Sequence, residues 1–212
     1  MRRLAWCALA LLLTACAKPQ PPDWQVNARG ALERYEQAFL AGETRAADAE
    51  FARARGDLAS TGQATLVARA ELTRCAAQVA SLVFEPCAGF ELLRADAGAA
   101  ERAYADYLQG APADAALLPA QHRAVAGGKA NAAALAQIAD PLSRLVAAGV
   151  AMRSGQADPQ VLQLAVDTAS TQGWRRPLLS WLGVQLKLAE QRGASDEADR
   201  LRRRIALAGG TR

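Results

Sequence analysis

The sequence predicts an all-α protein built from antiparallel helical hairpins. Two observations carry that expectation. Apolar residues make up 51% of the 212-residue chain, yet aromatic residues account for only 5%, and alanine dominates the apolar set. Alanine is the strongest helix former and lets helices pack closely. The apolar residues also recur at helical spacing in segments closed by glycine, as at Gly42 and Gly62, the residue that helix C-termini favour. The length allows one domain or two small ones.

The first element is a short apolar one. Arg2 and Arg3 precede an apolar run over 4–13. About ten residues is the length of a secretory signal core, whereas a membrane-spanning helix needs roughly twenty. The run closes on Leu13-Thr14-Ala15-Cys16, which resembles the lipobox of bacterial lipoproteins. The resemblance implies a lipoprotein signal over residues 1–16, cut just before its cysteine, so that Cys16 heads the mature chain. Cys16 then carries diacylglycerol on its sulfur and a third acyl chain on its new amino group. Each buried CH₂ adds about 0.8 kcal/mol to such an anchor. Ala17, where an inner-membrane lipoprotein of this kind carries aspartate, implies the outer membrane, facing the periplasm. An ordinary cleaved signal with an incidental cysteine is the alternative. The Arg2-Arg3 pair lacks the longer twin-arginine motif and is read as a charged n-region.

Residues 17–25 are expected to be a proline-rich tether, because Pro19, Pro21 and Pro22 block helix and favour extended chain. Trp24 then either caps the first helix or touches headgroups. An N-terminal helical half is expected over 26–109. Its first helix, 26–41, carries Leu32, Tyr35, Phe39 and Leu40, and its second, 43–60, carries Ala47, Phe51, Ala54 and Leu58. A third, 63–81, places Leu66, Val67, Leu72 and Val79, and another covers 97–109. Between these last two, 83–89 reads as a connector bearing Pro86, Cys87 and Gly89.

Gly42, Ala47, Phe51 and Ala54 resemble, in type and spacing, the second half of a tetratricopeptide repeat. In that repeat a glycine turns the chain, and small and aromatic residues pack the second helix on the first. A weaker echo lies in Leu182, Gly183, Gly193, Ala198 and Leu201, with three extra residues between the glycines and no closing proline. The match covers about a third of the chain. The fold expectation is therefore a tetratricopeptide-like solenoid or an Ala-rich helical bundle.

Residues 110–131 hold Pro112, Pro119 and Gly127-Gly128 and read as a loose connector. A C-terminal helical half follows over 132–208, with helices at 132–154, 159–172, 177–192 and 195–207 and a possible break at Pro141. Asp158-Pro159 and Ser195 supply good helix starts. The helix at 177–192 is apolar on two sides, through Trp181, Val184 and Leu188 and through Leu178, Leu182 and Leu186. It is expected to be central in its half.

Cysteine usage follows the compartment. Cys7 leaves with the signal and Cys16 is lipidated, which leaves Cys75 and Cys87. An even pair in an oxidising compartment reads as a disulfide, with two buried thiols as the alternative. Two cysteines and one histidine make no four-ligand metal site, so no metal is expected. The net charge of +4 includes Arg2 and Arg3 and gives no argument for nucleic acid.

Chemical motifs are missing. The sole histidine, His122, lies in the loose stretch and reads as an exposed loop residue. Gly127-Gly128-Lys129-Ala130 lacks the upstream glycine and the Ser or Thr of a phosphate loop. Neither Ser-x-x-Lys nor Gly-x-Ser-x-Gly occurs. Glu33, Glu36, Asp48 and Glu50 stand among Arg34, Arg45, Arg53 and Arg55 and read as a salt-bridged surface rather than a hydrolytic pair. Arg200, Arg202, Arg203 and Arg204 form the densest charge, a solvated helix face or a contact for headgroups or an acidic partner. No catalytic residue and no cofactor are expected. The functional expectation is a lipid-anchored adaptor or assembly factor for an envelope complex, with an envelope protein as partner. A peptidoglycan-active enzyme or accessory factor and a carrier of a small apolar ligand are the alternatives.

Overall fold

A computed structural model describes residues 20–210. Within them the chain is an all-α helical bundle, with no strand among the described residues. The helices are α1 (Asp23–Ala41), α2 (Thr44–Ala59), α3 (Ala64–Ala80), α4 (Ala88–Glu91), α5 (Ala99–Leu108), α6 (Ala120–Arg123), α7 (Ala132–Ala136), α8 (Pro141–Arg153), α9 (Pro159–Thr171), α10 (Arg175–Gln191) and α11 (Ser195–Gly209). The lipobox and Cys16 lie outside the described residues.

The expected tether ends sooner than 25. Pro22, with extended φ and ψ, is the residue before α1, and Asp23 opens the first turn, where a carboxylate suits the helix dipole. Trp24 packs on the first-hairpin core. Gly42 turns the chain between α1 and α2 at φ 87°, a conformation that disfavours side chains. Ala47, Phe51, Ala54 and Leu58 are the buried face of α2. Phe51 meets Tyr35 of α1 at 5.3 Å between ring centres.

α3 is a shared wall. One of its faces, through Val67, Ala70 and Ala77, closes a small core with Tyr35, Phe51 and Leu58. Ala68, Leu72, Cys75, Ala76 and Val79 face a larger core that continues through α5, α8, α9, α10 and α11. The crossing of α3 with α8 is close. A Cβ on Gly149 would stand 2.3 Å from the carbonyl oxygen of Val79, so only glycine fits. Cys75 and Cys87 are joined as a disulfide that ties the connector to α3, with Cα atoms 5.8 Å apart. By loop-closure entropy a ring of this size contributes on the order of 3 kcal/mol.

Two expectations about the second half are corrected. Residues 110–131 do not separate two cores, because Leu118, Val125, Ala126 and Ala130 belong to the same cluster as Leu72 and Leu145. The chain there is short of regular structure but not of apolar anchors. α10, expected to be central in its half through two apolar sides, buries only the side that carries Trp181, Leu182 and Ala189. Its Leu178, Val184, Leu186 and Leu188 stay partly exposed, whereas α8 buries Leu145 to Ala151 without a gap. The expected helix at 132–154 breaks at Pro141, where Asp140 caps α8 by accepting the Ser143 N–H at 2.7 Å.

α10 instead ties distant helix ends. The Trp181 indole N–H donates to the Ala80 carbonyl at the end of α3, at 3.0 Å and fully buried. Arg175 donates to the Ala41 carbonyl and Arg176 to the Phe39 carbonyl, and the Arg176 guanidinium sits 4.2 Å from the centre of the Phe39 ring. The Ala41 and Ala80 carbonyls are among those an α-helix leaves unpaired at its C-terminus, and the Phe39 carbonyl also accepts the Gly42 N–H at 3.0 Å.

Candidate functional site

The most chemically mixed concavity is a cleft of about 530 Å³ where α1, α3, α5 and α8 meet the turn before α10. The sequence of α1 builds one wall: Glu33, Glu36, Gln37 and Leu40 fall at i, i+3, i+4 and i+7, on one helical face. Across from them lie Asp140 and Leu142 at the start of α8, with Tyr104 from α5 and Trp174. Acid and aromatic surface therefore share one opening.

The acids are not equivalent. Glu33 pairs with Arg29 at 3.0 Å. Asp140 is occupied in part by the cap of α8. Glu36 is half-buried, and no ion pair reaches it among the described residues. Burial first, then the charges of Asp140 and Glu33, raise its pKa above the ordinary carboxylate value. The expected salt-bridged surface holds for Glu50, which bridges Arg34 and Arg53. It fails for Glu36, because the α1 face that carries it turns toward α8 rather than toward the arginines of α2.

Behind Tyr104 stands an aromatic stack. The His122 ring lies 5.7 Å from Tyr104 and 5.2 Å from Tyr107, measured between centres. The expectation of an exposed loop histidine is overturned, since His122 is 1% exposed. Pro119 starts the single turn of α6, and Leu118 and Val125 on either side are buried, which draws the histidine inward. Burial lowers its pKa to about 4, with Asp140 pulling weakly the other way, so the ring is neutral at pH 7. Its Nδ1 and the Tyr107 hydroxyl have no hydrogen-bond partner within the protein. Burial, then Tyr107, Glu36 and Asp140, holds the Tyr104 hydroxyl protonated well above its ordinary value.

Nothing in the cleft forms an activated nucleophile. Ser143 accepts a hydrogen bond from the Gln121 amide at 3.4 Å, and His122 Nδ1 has no partner that could make it a base for a serine. Among the described residues no three His, Cys, Asp or Glu side chains converge as a metal site. Gly127 and Gly128 form a turn at positive φ, and the helix after them has five residues, too little for a phosphate cradle. No helix among the described residues is long and apolar enough to cross a membrane.

Asp140, Tyr104 and Trp174 escaped the sequence reading as site residues. The i, i+3, i+4, i+7 pattern over Glu33 to Leu40 was the one available sign, since it mixes acid and apolar residues on a single face. Comparison with known proteins found no matching family model, no matching curated protein and no matching solved structure.

Proposed function

We propose that this chain is a lipid-anchored periplasmic protein of the outer membrane that acts without catalysis, as an adaptor or assembly factor for an envelope complex. In this reading Cys16 carries the anchor and the partner enters the α1–α8 cleft. The observation that supports it most is Glu36, a half-buried carboxylate with no ion-pair partner in a cleft walled by Tyr104 and Trp174. A cationic side chain from a partner satisfies such a carboxylate and stacks on the aromatic walls.

The test is crosslinked capture from envelope membranes, followed by binding of the identified partner. Glu36→Lys is expected to weaken that binding at least tenfold while leaving the melting temperature unchanged, and Cys16→Ser to release the protein from the membrane fraction or stall its processing. Unaltered partner binding by Glu36→Lys would remove the cleft from the reading, and unaltered membrane retention together with unaltered labelling by palmitate analogues in Cys16→Ser would remove the anchor.

One observation favours a second reading. Glu36 and Asp140 line the same cleft, and a raised carboxyl pKa is what a general acid needs in glycan cleavage. Release of soluble fragments from peptidoglycan by the wild-type protein, abolished by Glu36→Gln, would replace the adaptor with a hydrolase.

A further inference from the structure

The last helix carries a cationic stripe that the protein itself does not use. Arg200, Arg203, Arg204 and Leu207 stand at i, i+3, i+4 and i+7 of α11, so they share one face. The opposite face is the buried one, through Ala198 and Leu201. Arg202, which points off the stripe, is bridged to both Glu190 and Asp199. The three stripe arginines make no ion pair among the described residues. Leu207 is 83% exposed, and only Leu92 matches it among the large apolar side chains of the described residues.

Like charges three and four residues apart destabilise a helix. Cations near a helix C-terminus are favoured by the dipole, but that accounts for the charge and not for the exposed leucine among it. Arg200 and Arg204 also edge a groove of about 450 Å³ floored by Leu162, Leu188 and Leu201. Guanidinium groups bind phosphate oxygens in pairs of hydrogen bonds, and a leucine within a basic face enters the apolar margin of a bilayer.

We infer that the outward face of α11 docks on an anionic phospholipid surface, with Arg200, Arg203 and Arg204 on headgroup phosphates and Leu207 inserted beneath them. Charge complementarity and the exposed apolar residue at the end of the stripe favour a membrane over an acidic protein. The contact is independent of the cleft. In a lipid-anchored chain it would lay the body on its own membrane in one orientation.

The experiment uses residues 17–212, the mature chain after Cys16, so that neither an acyl chain nor the cationic and apolar segment over 2–13 contributes. Its partition is measured by co-sedimentation with vesicles of phosphatidylethanolamine and phosphatidylglycerol, against vesicles of phosphatidylcholine alone. Binding is expected on the anionic vesicles, weakening as salt rises. Joint substitution Arg200→Gln, Arg203→Gln and Arg204→Gln is expected to lower it at least tenfold with circular dichroism unchanged. Leu207→Gln should lower it less, and Arg202→Gln should leave it within twofold. Equal binding to both vesicles, or no loss in the triple variant, overturns the proposal. So does failure to bind vesicles combined with salt-sensitive retention on polyglutamate, which assigns the stripe to an acidic protein instead. Loss of membrane retention in cells by Cys16→Ser bears on the anchor alone and leaves this result standing.

Discussion

The two hairpins, α1–α2 and α10–α11, share a local grammar and differ in what they do with it. Both turn on a glycine at positive φ, Gly42 in the first and Gly193 in the second. Both bury an alanine on the second helix, Ala47 and Ala198. The first hairpin packs its aromatics mainly among themselves and on α3: Tyr35 lies against both Phe39 and Phe51, and the small core closes on α3. The second sends its largest groups outward. Trp181 reaches α3, and Arg175 and Arg176 reach the end of α1. A self-contained hairpin can be lost with limited damage, whereas a hairpin that supplies other helices with their last hydrogen bonds cannot.

That contrast is broken most directly by Trp181→Ala and Phe51→Ala. Each removes a buried aromatic side chain and is expected to cost about 3–5 kcal/mol in denaturant unfolding. The difference lies in extent. Hydrogen exchange should show Phe51→Ala loosening α1 and α2 while α8 and α9 keep their protection, and Trp181→Ala lowering protection throughout the larger core. Equal protection patterns in the two variants would erase the distinction.

Acid sharpens it next. His122 sits in the larger core with a pKa of about 4, against about 6.5 in an unfolded chain. A depressed folded value means that the unfolded state takes up the proton first as pH falls. Stability therefore declines between pH 6.5 and 4, by about 3 kcal/mol from this group. Glu36, with its raised pKa, acts in the opposite sense and offsets part of the decline. His122→Phe should flatten the dependence in that window, read as the denaturation midpoint against pH. An unchanged slope would mean that the ring protonates in place.

The smallest effect is expected from Arg176→Gln. It removes a charged hydrogen bond to the Phe39 carbonyl and a cation over the Phe39 ring, for about 1–3 kcal/mol. Fraying should appear at the end of α1, with α10 unaffected.

The local grammar was legible in the sequence and the tertiary uses of it were not. Glycine turns, the alanine and phenylalanine face of α2 and the cap at Asp158 follow from spacing alone, because each involves residues a few positions apart. The helix at 177–192 looked central because its apolar residues run around it. In the folded chain that surface is divided between the core and a half-exposed groove, which periodicity cannot distinguish. His122 was misread because it stands among glycines and prolines, and its burial depends on two tyrosines of α5 and on Leu118 and Val125. The cleft is less legible still, since Glu36 and Asp140 are brought together only by the packing of α1 on the α8 side.

The carbonyl of Ala41, at the end of α1, accepts its hydrogen bond from Arg175, 134 positions further along. A chain that emerges vectorially can wind α1 and α2 early, but the Ala41 carbonyl lacks this donor until residue 175 has arrived. Closing so long a loop is slow compared with forming a hairpin. The first hairpin therefore waits, formed but unsecured, for nearly the whole of the remaining chain, and in that interval it is the part of the molecule most open to a chaperone or a protease.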